Sequence, residues 1–333
     1  MRWLRILLYI IGVLIIVYLF GPHPDEPKYS TALPSNLPAA AGLDQYIAAH
    51  EAVHKLRPNN EARVVWVNDS IKQKTEYAIV YLHGFSASQE EGNPVHRNIA
   101  KEFGCNLYLS RLAEHGIDTT DQLVNLTADS YWESAKEALA IGKQLGNKVI
   151  LMGTSTGGTQ AIQLAAAFPN DIAGIILYSP NIAINDNNAW LLNNHWGLQI
   201  ARLVQGSKLY EPKDDRPIYK QYWNNPYRLE ALVTLEEMLE TSMNKETFTK
   251  VKQPALMLYY YKDEQHQDNV VKVSAMKNMF AELGTDTAQK RSMALPNTGN
   301  HVIASPIKSA DIISVQKETE RFLKEVMHLN AVN

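Results

Sequence analysis

The segment Gly153-Thr154-Ser155-Thr156-Gly157 is a G-x-S-x-G, a serine flanked two residues away on both sides by glycine. A serine hydroxyl attacks a carbonyl only when a base takes its proton. Chemistry at Ser155 therefore also requires a histidine, an acid to orient it, and donors for the negative charge that attack creates. So short a motif recurs by chance, and its context decides. Lys148 to Met152 (KVILM) is an apolar run of the kind that forms a buried strand, and Thr156 to Phe168 is a small-residue helical stretch stopped by Pro169. A serine on the sharp turn between such a strand and helix leaves no room for side chains at 153 and 157, and Gly158 lets the helix lie close to the strand.

The base is expected at His301. It ends Pro296-Asn297-Thr298-Gly299-Asn300-His301, after the predicted strand Arg291–Leu295 and before the closing helix Ala310–Met327. A loop histidine placed there can accept the Ser155 proton and return it to a leaving group. The acid stays open between two residues. Counting from Pro254, at the start of the strand through Ala255–Tyr261, favours Asp263, nine residues on. Counting back from the following helix favours Asp268, because Asp268-Asn269-Val270-Val271 runs straight into it; Asp268 is preferred. The strand Tyr77–Leu82 (YAIVYL) ends at His83-Gly84-Phe85, so the backbone amides of Phe85 and Thr156 are the candidate oxyanion donors. His83 itself reads as a structural residue with a satisfied ring.

The elements that must position these residues follow from period and punctuation. Predicted strands at 63–67, 77–82, 106–112, 148–152, 175–178, 255–261 and 291–295 alternate with predicted helices at 44–56, 94–103, 127–145, 156–168, 273–283 and 310–327. Thr127 is the expected cap of its helix. Continuous apolar strands alternating with helices imply an α/β fold with a parallel sheet covered on both faces. Between about 183 and 253 no strand signal appears, and Trp190, Trp196, Tyr210, Tyr219, Tyr222, Trp223 and Tyr227 crowd the interval. An interval that long reads as an inserted, mostly helical cap rather than a loop.

YLHGFSAS, GTSTGG, a cap, an acid loop and GNH, in that order, resemble the α/β-hydrolase superfamily. The likeness is to its esterase, monoacylglycerol-lipase-like and S33-peptidase-like members, and it spans about residues 63–328. The resemblance implies an eight-stranded, mostly parallel sheet, a Ser–acid–His triad and no cofactor. The stretch Asp263-Glu264-Gln265-His266-Gln267-Asp268 is longer than the usual acid loop, which keeps both carboxylates in play. The expected reaction is hydrolysis of a carboxyl ester through an acyl-serine. Peptidase, thioesterase and acyltransferase chemistry use the same triad, and a catalytically silent fold used for binding is the alternative of another class. The cap aromatics suit a lipid-like or aromatic ester, or serve only to pack the cap.

Composition excludes other classes. The chain has 333 residues, 45% hydrophobic and 20% charged, with net charge −3, so nothing in it points to a nucleic-acid partner. Cys105 is the sole cysteine, which rules out an intrachain disulfide. Ile6 to Phe20 is an unbroken apolar run, and residues 1–20 read as a membrane anchor, 21–43 as a linker and 44–333 as the hydrolase domain. Gly21-Pro22-His23-Pro24-Asp25-Glu26-Pro27 offers no small-residue cleavage site, which disfavours a cleaved signal peptide. Arg2 and Arg5 ahead of the run place the N-terminus in the cytoplasm and the domain in the periplasm, lumen or exterior. His50-Glu51-Ala52-Val53-His54 is formally the zinc-protease H-E-x-x-H, with Glu76 at a workable distance for a third ligand. It lacks the extension of those enzymes and leaves the serine constellation unexplained, so a surface helix is expected there, with no metal.

Overall fold

The computed structural model describes residues 2–332. In chain order its principal elements are α1 (Arg2–Leu19), α2 (Leu43–Glu51), β1 (Arg63–Val65), β2 (Thr75–Leu82), α3 (Val95–Glu102), β3 (Asn106–Leu109), α4 (Ala128–Leu145), β4 (Gly146–Thr154), α5 (Thr156–Ala167) and β5 (Ile172–Tyr178). After these come α6 (Gly197–Gln205), β6 (Leu209–Tyr210), α7 (Pro217–Tyr222), β7 (Tyr227–Arg228), α8 (Leu229–Ser242), α9 (Lys245–Lys250), β8 (Ala255–Tyr259), α10 (Val273–Glu282), β9 (Lys290–Ala294) and α11 (Ile312–Glu325).

The continuous apolar runs become the middle of one sheet because both of its faces are covered. Alternate residues of each strand serve opposite sides. Val80, Leu82, Val149, Leu151, Ile175, Leu177 and Met257 join one core with Leu139 of α4, Ile162 of α5 and Met276 of α10. Ile79, Tyr81, Ile150, Met152, Ile176, Tyr178 and Leu258 join another with Ile99 of α3 and Phe322 of α11. The sheet has seven strands in the order β1-β3-β2-β4-β5-β8-β9. All neighbours run parallel except the edge pair β1–β3. That is one strand fewer than the resemblance implies. The chain just ahead of β1 is instead helix α2, whose buried Leu43 and Ile47 lie one helical turn apart on the face turned to the core.

Local deviations have local causes. The helix expected over 44–56 stops at Glu51, because Leu56 bridges to Ile117 and Asp118 N–H donates to the Lys55 carbonyl at 2.7 Å. Helix α4 starts where the cap residue predicts: Thr127 and Ser130 exchange side-chain-to-backbone hydrogen bonds as a capping box. The interval after β5 is mostly helical, but it also holds a two-stranded antiparallel ribbon, β6 with β7. Strands this short carry no period from which to read them.

Helix α1 is 18 residues long with mean hydropathy 2.1 and no buried residue. At 1.5 Å per residue it is about 27 Å long, close to the hydrocarbon thickness of a bilayer. The segment after it has no helix or strand until residue 40, yet it is strapped to the domain. Lys28 and Tyr29 donate their N–H groups to Asp129 Oδ1 at 2.9 and 3.0 Å, Trp132 Nε1 donates to the Ser30 carbonyl at 2.8 Å, and Lys136 Nζ to the Ala32 carbonyl at 2.8 Å.

Candidate active site

Strand register gathers the chemistry. Leu82 pairs with Gly153, Thr154 with Tyr178, Tyr178 with Leu258 and Tyr259 with Ala294, so the carboxyl ends of five parallel strands lie side by side. The segments leaving those ends are the ones singled out in the sequence: His83-Gly84-Phe85, Ser155, the acid loop and the His301 loop. Open α/β sheets form their sites at this edge.

Ser155 sits at φ 53°, ψ −120°, a conformation that costs a non-glycine residue on the order of 1–3 kcal/mol and persists only where the surroundings impose it. Its N–H donates to the Tyr178 carbonyl at 2.9 Å, while its carbonyl accepts from Gly158, Thr159 and Asn181. The glycines are sterically required. A Cβ on Gly153 would lie 2.4 Å from the Gly157 oxygen, one on Gly157 only 1.9 Å from the Leu82 oxygen, and one on Gly158 2.8 Å from Pro180 Cβ. The hydroxyl lies at the start of α5 and makes no hydrogen bond among the described residues.

His301 is buried, and its Nδ1 donates to Asp268 Oδ2 at 2.6 Å. Asp268 is buried as well, and its other oxygen accepts from Val270 N–H at 2.8 Å and Val271 N–H at 3.1 Å. Burial pulls the imidazole toward its neutral form. The Asp268 carboxylate, by charge and hydrogen bond, outweighs this and holds His301 above its ordinary value of 6.5. Asp263 is elsewhere: exposed, it accepts from the backbone and ring of His266 and caps a small excursion of the acid loop closed by a bridge between Tyr261 and Gln267. That excursion is what lengthens the loop.

The Phe85 and Thr156 amides have no acceptor among the described residues, and they flank the point where Gly84 approaches Ser155. A Cβ on Gly84 would lie 3.0 Å from Ser155 Cβ and 2.9 Å from both carboxyl oxygens of Glu91. The loop carrying Phe85 is fixed by three side chains. Gly84 N–H donates to Glu91 Oε2 at 2.6 Å, Ser86 N–H to His115 Nε2 at 3.0 Å, and Leu112 N–H to His83 Nε2 at 3.0 Å. The remaining ring nitrogens donate to carbonyls, His83 Nδ1 to Gly84 and His115 Nδ1 to Ala113. Burial keeps both rings neutral, His83 falling to about 4 and His115 well below the ordinary value. Burial pushes Glu91 the other way, from 4.5 to about 7, partly offset by the Gly84 hydrogen bond and by His301. Sequence reasoning missed Glu91 and His115. The only available signal was a Glu90-Glu91 pair in an otherwise small and uncharged loop.

Cap residues close over this edge. Tyr219 and Trp223 stack at 5.0 Å and pack with Ala87 and Val302, the neighbours of the Phe85 loop and of His301. Tyr227 meets the Phe85 ring edge-on at 5.2 Å. The histidines of the H-E-x-x-H segment do not converge. His50 binds the Tyr46 carbonyl at 2.8 Å, His54 lies beyond the end of α2, Glu51 pairs with Arg111 at 2.8 Å, and Glu76 pairs with Lys148 at 2.9 Å. Among the described residues no group of three histidine, cysteine or carboxylate side chains converges as a metal site.

The sequence model of the family described as serine aminopeptidase, S33, matches residues 115–297, more than half of the chain. The match includes Ser155 and both candidate acids and stops just short of His301. No curated protein sequence matches significantly. Among solved structures the fold is similar to one reported for the metagenome-derived lipolytic enzymes LipS and LipT, with a TM-score of 0.65 and 17% identity over 81% of this chain and 99% of that one. It is also similar to the monoacylglycerol lipase of Paleococcus ferrophilus (TM-score 0.57, 14% identity, 79% and 98% of the chains). Est1E of Butyrivibrio proteoclasticus with ferulic acid bound gives 0.56 at 15% identity over 80% and 95%.

Proposed function

Because the chain belongs to the serine aminopeptidase S33 family of α/β-hydrolases, we propose that it is a serine hydrolase that cleaves carboxyl esters through an acyl-enzyme on Ser155. The observation that carries this reading is the buried 2.6 Å contact between His301 and Asp268, on the same sheet edge as a serine held in a strained turn. In this reading His301 Nε2 takes the Ser155 proton as Oγ bonds to the ester carbonyl carbon. The oxygen that becomes negative receives the Phe85 and Thr156 N–H groups, which stabilise it more than the ground-state carbonyl. Collapse expels the alcohol, which leaves with the proton held by His301. Water, deprotonated by the same ring, then releases the acid and frees the serine. Asp268 keeps the Nδ1 proton in place and stabilises the imidazolium. Asp263 has no part.

The apolar contacts of Phe85, Tyr227, Tyr219 and Trp223 above the site favour an ester with a lipid-like or aromatic acyl group. The hydrophobic α1 is read as a retained membrane span with the domain on the outer side, where Arg2 and Arg5 leave it. The test is turnover of p-nitrophenyl esters of graded chain length, monoacylglycerols and aminoacyl amides by the full chain and by Ser155→Ala. Esterase activity should fall by at least about 10⁴-fold in the variant, together with covalent labelling by a fluorophosphonate. Unchanged ester turnover in Ser155→Ala would overturn the mechanism. Cleavage of aminoacyl amides alone would replace the ester reading with a peptidase.

A further inference from the structure

Helix α6 turns its apolar residues to water. Ile200, Leu203 and Val204, spaced i, i+3 and i+4 and so on one face, are 41%, 83% and 82% exposed, and the nearby Trp190 is 53% exposed. A helix at the surface of a protein surrounded by water carries polar residues on that face.

The same helix is fastened to the end of α1. Trp196, the residue before α6, donates Nε1 to the Val17 carbonyl at 2.9 Å and its backbone N–H to the Pro22 carbonyl at 2.8 Å. His195 Nδ1 bonds the Gly21 carbonyl at 2.8 Å, and the ring meets Tyr18 and His23 edge-on at 5.3 and 4.7 Å. Two local costs serve this contact. Trp196 lies at φ 66°, unfavourable for a bulky side chain, and Gly21 leaves space that a Cβ would fill at 2.0 Å from Trp196 Nε1. The helix that carries this exposed face is therefore fastened, through His195 and Trp196 at its N-terminal end, to the C-terminal end of the apolar span. Tyr18 and Phe20 close that span with rings of the kind that settle at a lipid–water boundary, and Trp190 and Trp196 add two more from the cap.

We propose that the cap docks on the bilayer face from which α1 emerges, with Ile200, Leu203, Val204 and Trp190 seated at the boundary between headgroups and acyl chains. The proposal rests on reading α1 as a retained span. A lipid surface is the occupant because the helix that carries the patch is fastened at its start to the end of that span, and because a helix with one apolar face lies in the plane of such a boundary. The roof of the site is thereby held against the membrane.

The full chain tests this in a Cys105→Ser background, with an environment-sensitive fluorophore on Leu203→Cys, on Leu14→Cys within α1, or on Ile313→Cys, which is 77% exposed on α11. Each is reconstituted in phosphatidylcholine vesicles containing spin-labelled lipids. The Leu203→Cys probe should be quenched several-fold more by shallow spin labels than the Ile313→Cys probe, and the Leu14→Cys probe by deep ones. Adding Gly21→Ala should reduce quenching at 203 while leaving it at 14. Quenching at 14 with a probe at 203 as unquenched as that at 313 would overturn the docking and keep the span. Quenching at neither site would overturn the span, and the docking with it.

Discussion

Replacing Glu91 by glutamine should make the protein more stable above neutral pH, although it removes a buried charged group that holds the loop carrying Phe85. Glu91 is almost wholly buried, and its carboxyl is raised from 4.5 to about 7, mainly by desolvation. Holding the ionised form there costs about 3 kcal/mol, at 1.36 kcal/mol per tenfold change in proton affinity. The sign follows from proton uptake. Between pH 4.5 and about 7 the unfolded chain has released this proton while the folded chain keeps it, so stability falls as pH rises through that window and levels off above it. Glu91→Gln retains an oxygen for the Gly84 N–H and carries no charge. The stability difference between variant and wild type should therefore be near zero at pH 4.5 and grow to about 3 kcal/mol in favour of the variant by pH 8. Urea midpoints followed in detergent at half-unit steps of pH measure it, and groups that titrate alike in both proteins cancel. A variant less stable than wild type by the same amount at every pH would refute the reasoning, because it would mean that the Gly84 hydrogen bond cancels desolvation and leaves the carboxyl unshifted. Catalysis supplies a second readout. The Glu91 charge helps hold His301 above 6.5, so its loss should move the acidic limb of kcat/KM to lower pH.

Other expectations follow from distances. Asp268→Asn should lower kcat by about 10⁴-fold, as loss of the residue that orients the ring does in such triads, whereas Asp263→Asn should stay within a few-fold of wild type in the same ester assay. Comparable losses in both would mean that the acid loop rearranges in the working enzyme. Gly157→Ala, with its Cβ 1.9 Å from the Leu82 oxygen, should displace the turn from the end of β2, abolish fluorophosphonate labelling and lower the melting temperature by several degrees. Full labelling of that variant would show that the turn is not confined as described.

Buried strands are legible because a strand covered on both faces must be apolar throughout, and every run from YAIVYL to ALMLYYY records that demand. Gly153 and Gly157 are legible for a related reason, since sterics admit nothing else there. The choice between Asp263 and Asp268 is not. Both follow the same strand, and the difference lies in a loop excursion stabilised by Asp263 bonding to His266, three residues away. Glu91 and His115 are hidden because they reach the site through the third dimension, the one from a short helical turn and the other from a loop beyond β3, with no sequence period to connect them. The missing eighth strand was a feature borrowed from resemblance, and the two-stranded ribbon in the cap is too short for alternation to show.

The strap across α4 limits how far the domain can lie from the end of α1. Seven residues separate Phe20 from Lys28, where the chain is already bonded to Asp129. Fully extended, they would span about 25 Å, and the bonds of Gly21 and Pro22 to His195 and Trp196 take up part of that length. With α1 in a bilayer, the domain has almost no leash: it cannot sample the bulk phase, and its search for substrate is two-dimensional. An ester that partitions into the membrane is then met at its surface density, and one dissolved in water only at its concentration within a few nanometres of the headgroups.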